Sequence, residues 1–135
     1  MNELRVWIIL AWLALPTVMY GGYALMRLVN RGNKLTPFQV TWFRAGHAHA
    51  GVLILMSLLY YAFMGETSLP IGVKHAACAL LVVGILAQSG GFFIHVLVGK
   101  PDTASIGTKV TSVGAVMLTF AIAVLAYGLI LAAKG

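Results

Sequence analysis

Four long apolar stretches, at about residues 5–28, 38–64, 73–98 and 106–133, alternate with three short polar breaks. Each stretch exceeds the roughly 20 residues an α-helix needs to cross the hydrocarbon core of a bilayer. The pattern predicts an all-α fold: an integral membrane four-helix bundle with four transmembrane helices, forming one transmembrane domain over residues 1–135. The breaks are Asn30-Arg31-Gly32-Asn33-Lys34, Gly65-Glu66-Thr67-Ser68-Leu69-Pro70 and Gly99-Lys100-Pro101-Asp102-Thr103. Breaks this short make sequential helices antiparallel neighbours. Thr36-Pro37-Phe38-Gln39 reads as a helix start, with Thr36 as N-cap, Pro37 in the first turn and Gln39 closing a capping box. The first stretch is expected to be a mature helix. Its apolar core is long, and Asn2-Glu3 makes a poor basic leader for a cleaved signal.

Composition supports the membrane class. Hydrophobic residues make up 61% of the 135 and charged residues 9%, and the mean hydropathy is +0.95. Soluble domains carry about 25% charged residues, so lipid must face much of this surface. Nine basic residues oppose Glu3, Glu66 and Asp102, for a net charge of +6. The basic residues are scattered at helix ends rather than clustered on one face. Nucleic acid is therefore not an expected partner, and the lipid bilayer with its anionic headgroups is. Arg27, Arg31, Lys34, Lys100 and Lys109 share one side, and Arg5, Lys74 and Lys134 the other. The positive-inside bias then puts both termini outside, across a bacterial inner (plasma) membrane. Cys78 is the one cysteine, so no internal disulfide or thiolate cluster is available.

The candidate chemistry lies in the second stretch, Trp42-Phe43-Arg44-Ala45-Gly46-His47-Ala48-His49-Ala50-Gly51. Ionisable groups at membrane depth are costly and are functional candidates by default. Residues two apart on a helix point about 200° away from each other, so His47 and His49 cannot chelate one ion. His47 shares a face with Arg44, Ala48 and Gly51. His49 shares the opposite face with Trp42, Ala45, Gly46, Leu53 and Met56. On the third helix Gly84, Gln88, Gly91 and His95 share a face. Glycines beside a histidine admit a flat porphyrin, and they equally admit another helix. Arg44, His47 and His95 all lie toward the same membrane side and can be placed in one layer. His47 and His95, from two antiparallel helices, are then candidate axial ligands of a haem iron, with Arg44 for its propionates. Gln88 and Tyr60 are candidate supporting groups. The competing reading is that these histidines only hydrogen-bond between helices and that Arg44 snorkels to the headgroups. His75, near the outer end of the third helix, reads as an interfacial residue.

Phe43-Arg-Ala-Gly-His-Ala-His-Ala-Gly51 resembles the Arg/His membrane helices of the respiratory oxidase subunit I superfamily and of related histidine-rich bacterial membrane proteins. The resemblance covers those few residues. It implies a haem-binding helix with His47, and His49 beside it, as candidate ligands. Four spans and four histidines are too few for an added copper centre and second haem, so oxygen reduction is not implied.

Trp7, Trp12, Tyr20, Tyr23, Tyr60 and Tyr61 suit the interfacial aromatic belts. No Walker loop, nucleotide fingerprint or catalytic triad is present, and no acidic residue lies inside a span. Three readings remain: a small haem b protein in electron transfer or assisting a respiratory or redox complex; a transporter or channel subunit; and a non-catalytic accessory membrane subunit. With His47 and His49 on opposite faces, a homo-oligomer or larger membrane complex is expected.

Overall fold

The computed structural model describes residues 3–32 and 35–134. Asn33 and Lys34 of the first break lie outside the described residues, as do Met1, Asn2 and Gly135. Four helices follow one another: α1 (Arg5–Asn30), α2 (Pro37–Gly65), α3 (Ile71–Val98) and α4 (Ile106–Ala132). They contain 26, 29, 28 and 27 residues. At 1.5 Å per residue each is about 40 Å long, enough to cross the roughly 30 Å hydrocarbon core. All four are long and apolar enough to cross a membrane.

Local chemistry sets the helix starts. At Thr36 the side chain accepts from the Gln39 N–H at 3.2 Å, and Gln39 Oε1 accepts from the Thr36 N–H at 3.0 Å, as the sequence predicts. A second capping box, which the sequence does not announce, opens α4. Ser105 Oγ accepts from the Gly107 N–H at 3.0 Å, and the Ser105 N–H donates to Thr108 Oγ1 at 2.9 Å. Lys74 Nζ donates to Gly65 O, the last carbonyl of α2, at 3.4 Å, and to Thr67 O in the loop beyond it at 2.8 Å.

The tightest contact is α3 against α4. A Cβ on Gly91 would collide with Thr111 Oγ1 and Gly107 O, and one on Gly114 with the Gln88 backbone. Removing side chains lets the two backbones approach, which is how helices associate where lipid is as apolar as leucine. Helix α1 packs mainly on α2. The buried core is thin and sits toward the α2–α3 loop end, around Tyr60, Tyr61, Met64, Cys78, Leu81, Leu118 and Ala121. Leu13, Met19, Leu86, Leu97 and Phe120 point outward, as expected of lipid-facing positions.

Two expectations are corrected. Tyr60 and Tyr61 are only 3% and 2% exposed, so they are core residues and not belt residues. Tyr60 Oη donates to Ala121 O at 2.9 Å and ties α2 to α4. That commitment also removes Tyr60 as a supporting group near the α2 histidines. Trp12, Tyr20 and Tyr23 are exposed as a belt requires, whereas Trp7 is half-buried because its indole N–H donates to His75 Nδ1 at 2.9 Å.

Candidate functional site

The four histidines occupy four different settings. His47 projects toward α1. A Cβ on Gly22 would stand 2.8 Å from His47 Nε2, and one on Gly21 would stand 3.7 Å from Nδ1. The imidazole lies against a side-chain-free strip of α1. Gly51, one turn further along the same face, meets Val18 of α1. Neither nitrogen of His47 has a hydrogen-bond partner among the described residues. His47 also lines an apolar cavity of about 350 Å³ between α1, α2 and α3, with Val18, Phe43, Ala50, Ser89 and Phe93 in its wall. Ligand pockets run from roughly 300 to 1,000 Å³, so this one is small. An imidazole at membrane depth with no partner carries an uncompensated desolvation cost.

His49 faces the other way, as helical spacing requires. Its ring lies over Phe92, with centroids 4.6 Å apart. Its Nδ1 is 2.8 Å from Ala45 O. A carbonyl only accepts, so Nδ1 carries the proton and the Nε2 lone pair is left free in the neutral ring. Histidine ligands are commonly set up this way.

His95 is almost fully enclosed, at 1% exposure. Its Nδ1 is 2.7 Å from Ser105 Oγ. Ser105 Oγ accepts from the Gly107 N–H, and its own proton meets no other acceptor among the described residues, so it donates to Nδ1. That bond assigns the Nε2–H tautomer to the neutral ring. The His95 ring also stands edge-on to Trp42, at 4.2 Å, and to Phe38, at 5.2 Å. Trp42 in turn meets Phe92 at 5.6 Å. His95, Trp42, Phe92 and His49 thus form one contiguous row of rings between α2 and α3. His75 accepts from Trp7, which puts its own proton on Nε2 in the neutral ring.

The structure does not bring His47 and His95 together. His95 lies beside the first two turns of α2, at Phe38 and Trp42, whereas His47 is five residues beyond Trp42. That separation is about 7.5 Å along the axis and about 140° around it. The shared layer expected for Arg44, His47 and His95 is corrected accordingly: His95 belongs to the α2–α3–α4 junction and His47 to the α1 side. Arg44 is exposed on α2. The face carrying Gly84, Gln88, Gly91 and His95 is covered by α4. Leu118 sits on Gly84, Thr111 Oγ1 donates to Gln88 O, and Gly107 lies on the His95 backbone. Gly91 therefore serves helix packing. No group of three or more His, Cys, Asp or Glu side chains that could hold a metal ion occurs among the described residues.

Sequence reasoning missed two residues of this arrangement. Gly21-Gly22, to which the sequence assigns no contact, is the surface against which His47 rests. Ser105 reads as loop, and it is both the α4 N-cap and the partner of His95. Only the Ser-x-x-Thr spacing, Ser105 to Thr108, could have signalled the cap.

No protein-family model matches the chain, and no curated protein or solved structure matches it.

Proposed function

We propose that this chain is a small integral membrane haem b-binding protein, acting in electron transfer or assisting a respiratory or redox complex. The observation that carries the reading is His47: an unpartnered imidazole at the wall of an apolar cavity inside the membrane span. His47 would hold the haem iron through the lone pair of that imidazole. His49 is the second candidate ligand on α2, because its Nδ1–H is held by Ala45 O and its Nε2 is free. His95 is less suited, since its neutral tautomer presents an N–H rather than a lone pair at Nε2.

The donor set fits haem in part. An apolar wall and one imidazole suit a buried porphyrin edge, and exposed Arg44 on the same side of α2 suits a propionate. The cavity is small and Gly22 lies against Nε2, so α1 must move outward for a porphyrin to seat. When bound, haem would supply a one-electron redox centre. The chain's residues orient it, exclude water from it and counter its acidic groups. The short resemblance of Phe43–Gly51 to haem-ligating helices supports the same reading. So does the loose seat of α1, which in this reading is completed by a homo-oligomer or a larger complex. The excess of Arg and Lys at the first and third loops supports both termini lying outside a bacterial inner membrane.

The test is the visible spectrum of the purified protein. A Soret band that shifts on dithionite reduction is expected, lost in His47→Ala and kept in His75→Ala. Loss in His49→Ala with His47→Ala silent moves the ligand by two residues. A protein that neither carries haem nor takes it up on reconstitution refutes the reading.

A further inference from the structure

A second pocket, of about 580 Å³, opens between the start of α2 and the α3–α4 loop. Phe38, Trp42, His95, Asp102, Thr41 and Thr108 are in its wall. It is separate from the His47 cavity and shares no residue with it.

Four observations define what it can hold. The first is the hydrogen-bonding character of His95. The Nδ1 and Cε1 edge of the ring lies against Gly99 and Ser105, which leaves Nε2 on the remaining edge, and the tautomer assigned above makes it a donor. That N–H has no acceptor among the described residues, so a molecule in the pocket can supply one. Second, the hydroxyls of the wall are already engaged: Thr41 donates to Pro37 O at 2.9 Å and Thr108 to Ser105 O at 2.8 Å. Third, the charge does not favour anions. Its lining carries the Asp102 carboxylate and no cation among the described residues, so the wall itself offers an anion no charge partner. Fourth, the wall is aromatic: Phe38 and Trp42 stand with centroids 6.2 Å apart and planes tilted by 52°, so one ring can lie on the face of a planar molecule and the other against its edge. His95 lies four residues before Gly99, about 6 Å along the axis. The pocket therefore sits near the end of the span, within reach of a molecule dissolved in the bilayer.

We infer that this pocket binds an uncharged planar carbonyl compound from the membrane, a benzoquinone or naphthoquinone headgroup, with His95 Nε2–H donating to a ring carbonyl and the tilted Phe38–Trp42 pair packed on the ring. Ser105 is a positioning residue: its hydroxyl holds the donor tautomer. The inference does not depend on haem.

Trp42 provides the readout. Trp7→Phe with Trp12→Phe leaves it as the single tryptophan. Duroquinone added to this protein in nanodiscs should quench Trp42 with a saturable component above the linear background of partitioning. His95→Gln, which keeps a donor, should retain saturation. His95→Phe, which keeps a ring and loses the donor, should weaken binding about tenfold, the worth of one neutral hydrogen bond. Bound duroquinone should also show its carbonyl stretch at lower frequency in the wild-type protein, a measurement that needs no variant to fold. Quenching that is linear throughout, saturation unchanged in a folded His95→Phe protein, or an unshifted carbonyl band would each overturn the inference.

Discussion

Gly22 of α1 lies directly on the imidazole of His47 of α2, so close that a Cβ there would stand 2.8 Å from Nε2. Real Cβ atoms do not approach a ring nitrogen so closely. Either the ring or the helix must move if a side chain is added, and α1 is the helix with the least holding it. The contact thus sets how closely α1 can approach α2 beside the His47 cavity.

Gly22→Ala is therefore expected to push α1 away from α2, whereas Gly21→Ala, whose Cβ would meet Nδ1 at an ordinary 3.7 Å, is expected to leave it seated. Val18 and Gly51 touch across the same interface. A Val18→Cys, Gly51→Cys pair in a Cys78→Ser background should cross-link readily. Adding Gly22→Ala should lower the yield, and adding Gly21→Ala should not. Equal yields in both would show that the glycine pair does not control the spacing.

The α3–α4 seam should be the least tolerant surface of the protein. Gly91→Ala and Gly107→Ala each drive a methyl into backbone atoms of the facing helix. Overpacking of this kind costs about 1–3 kcal/mol. Gly90→Ala meets nothing within 4 Å and gains helix propensity of up to about 1 kcal/mol. Thermal unfolding in detergent should lower Tm for the first two variants and leave it unchanged or raised for the third.

Buried apolar volume near the α2–α3 loop should matter more than the interhelical hydrogen bond beside it. Leu81 is fully buried, and Leu81→Ala is expected to cost about 2–5 kcal/mol. Tyr60→Phe removes the bond to Ala121 O, and such bonds in membrane proteins average about 0.6 kcal/mol. Unfolding in mixed detergent micelles ranks the two, and the reverse order would contradict the packing described here.

The loop sides can be read with impermeant thiol reagents. Cys78 is fully buried and should stay unlabelled in the native protein. The proposed orientation, both termini outside, requires that a cysteine at exposed Asp102 be protected in intact cells and one at exposed Ser68 react. The opposite pattern would invert the topology and place the Trp42–His95 pocket on the outer side.

The four spans, their order, the Thr36 capping box and the opposed faces of His47 and His49 were all legible in the amino-acid sequence. They follow from helix length against bilayer thickness, from side-chain chemistry at a helix start and from a rotation of about 100° per residue. Periodicity says which residues share a face, but it does not say what that face meets. The Gly84–Gly91 face could have enclosed a cofactor, and only the approach of α4, with Gly107 and Gly114 opposite, filled it with backbone. Tyr60 and Tyr61 have the composition of a belt, yet the crossing of α2 with α3 and α4 buried them. Axial depth counted along single helices placed His47 and His95 in one layer. The relative shift and rotation of α2 and α3, set by Trp42 and Phe92 interlocking, separated them. Those offsets arise from side-chain packing between residues dozens of positions apart, and that is the information a single strand of sequence does not carry.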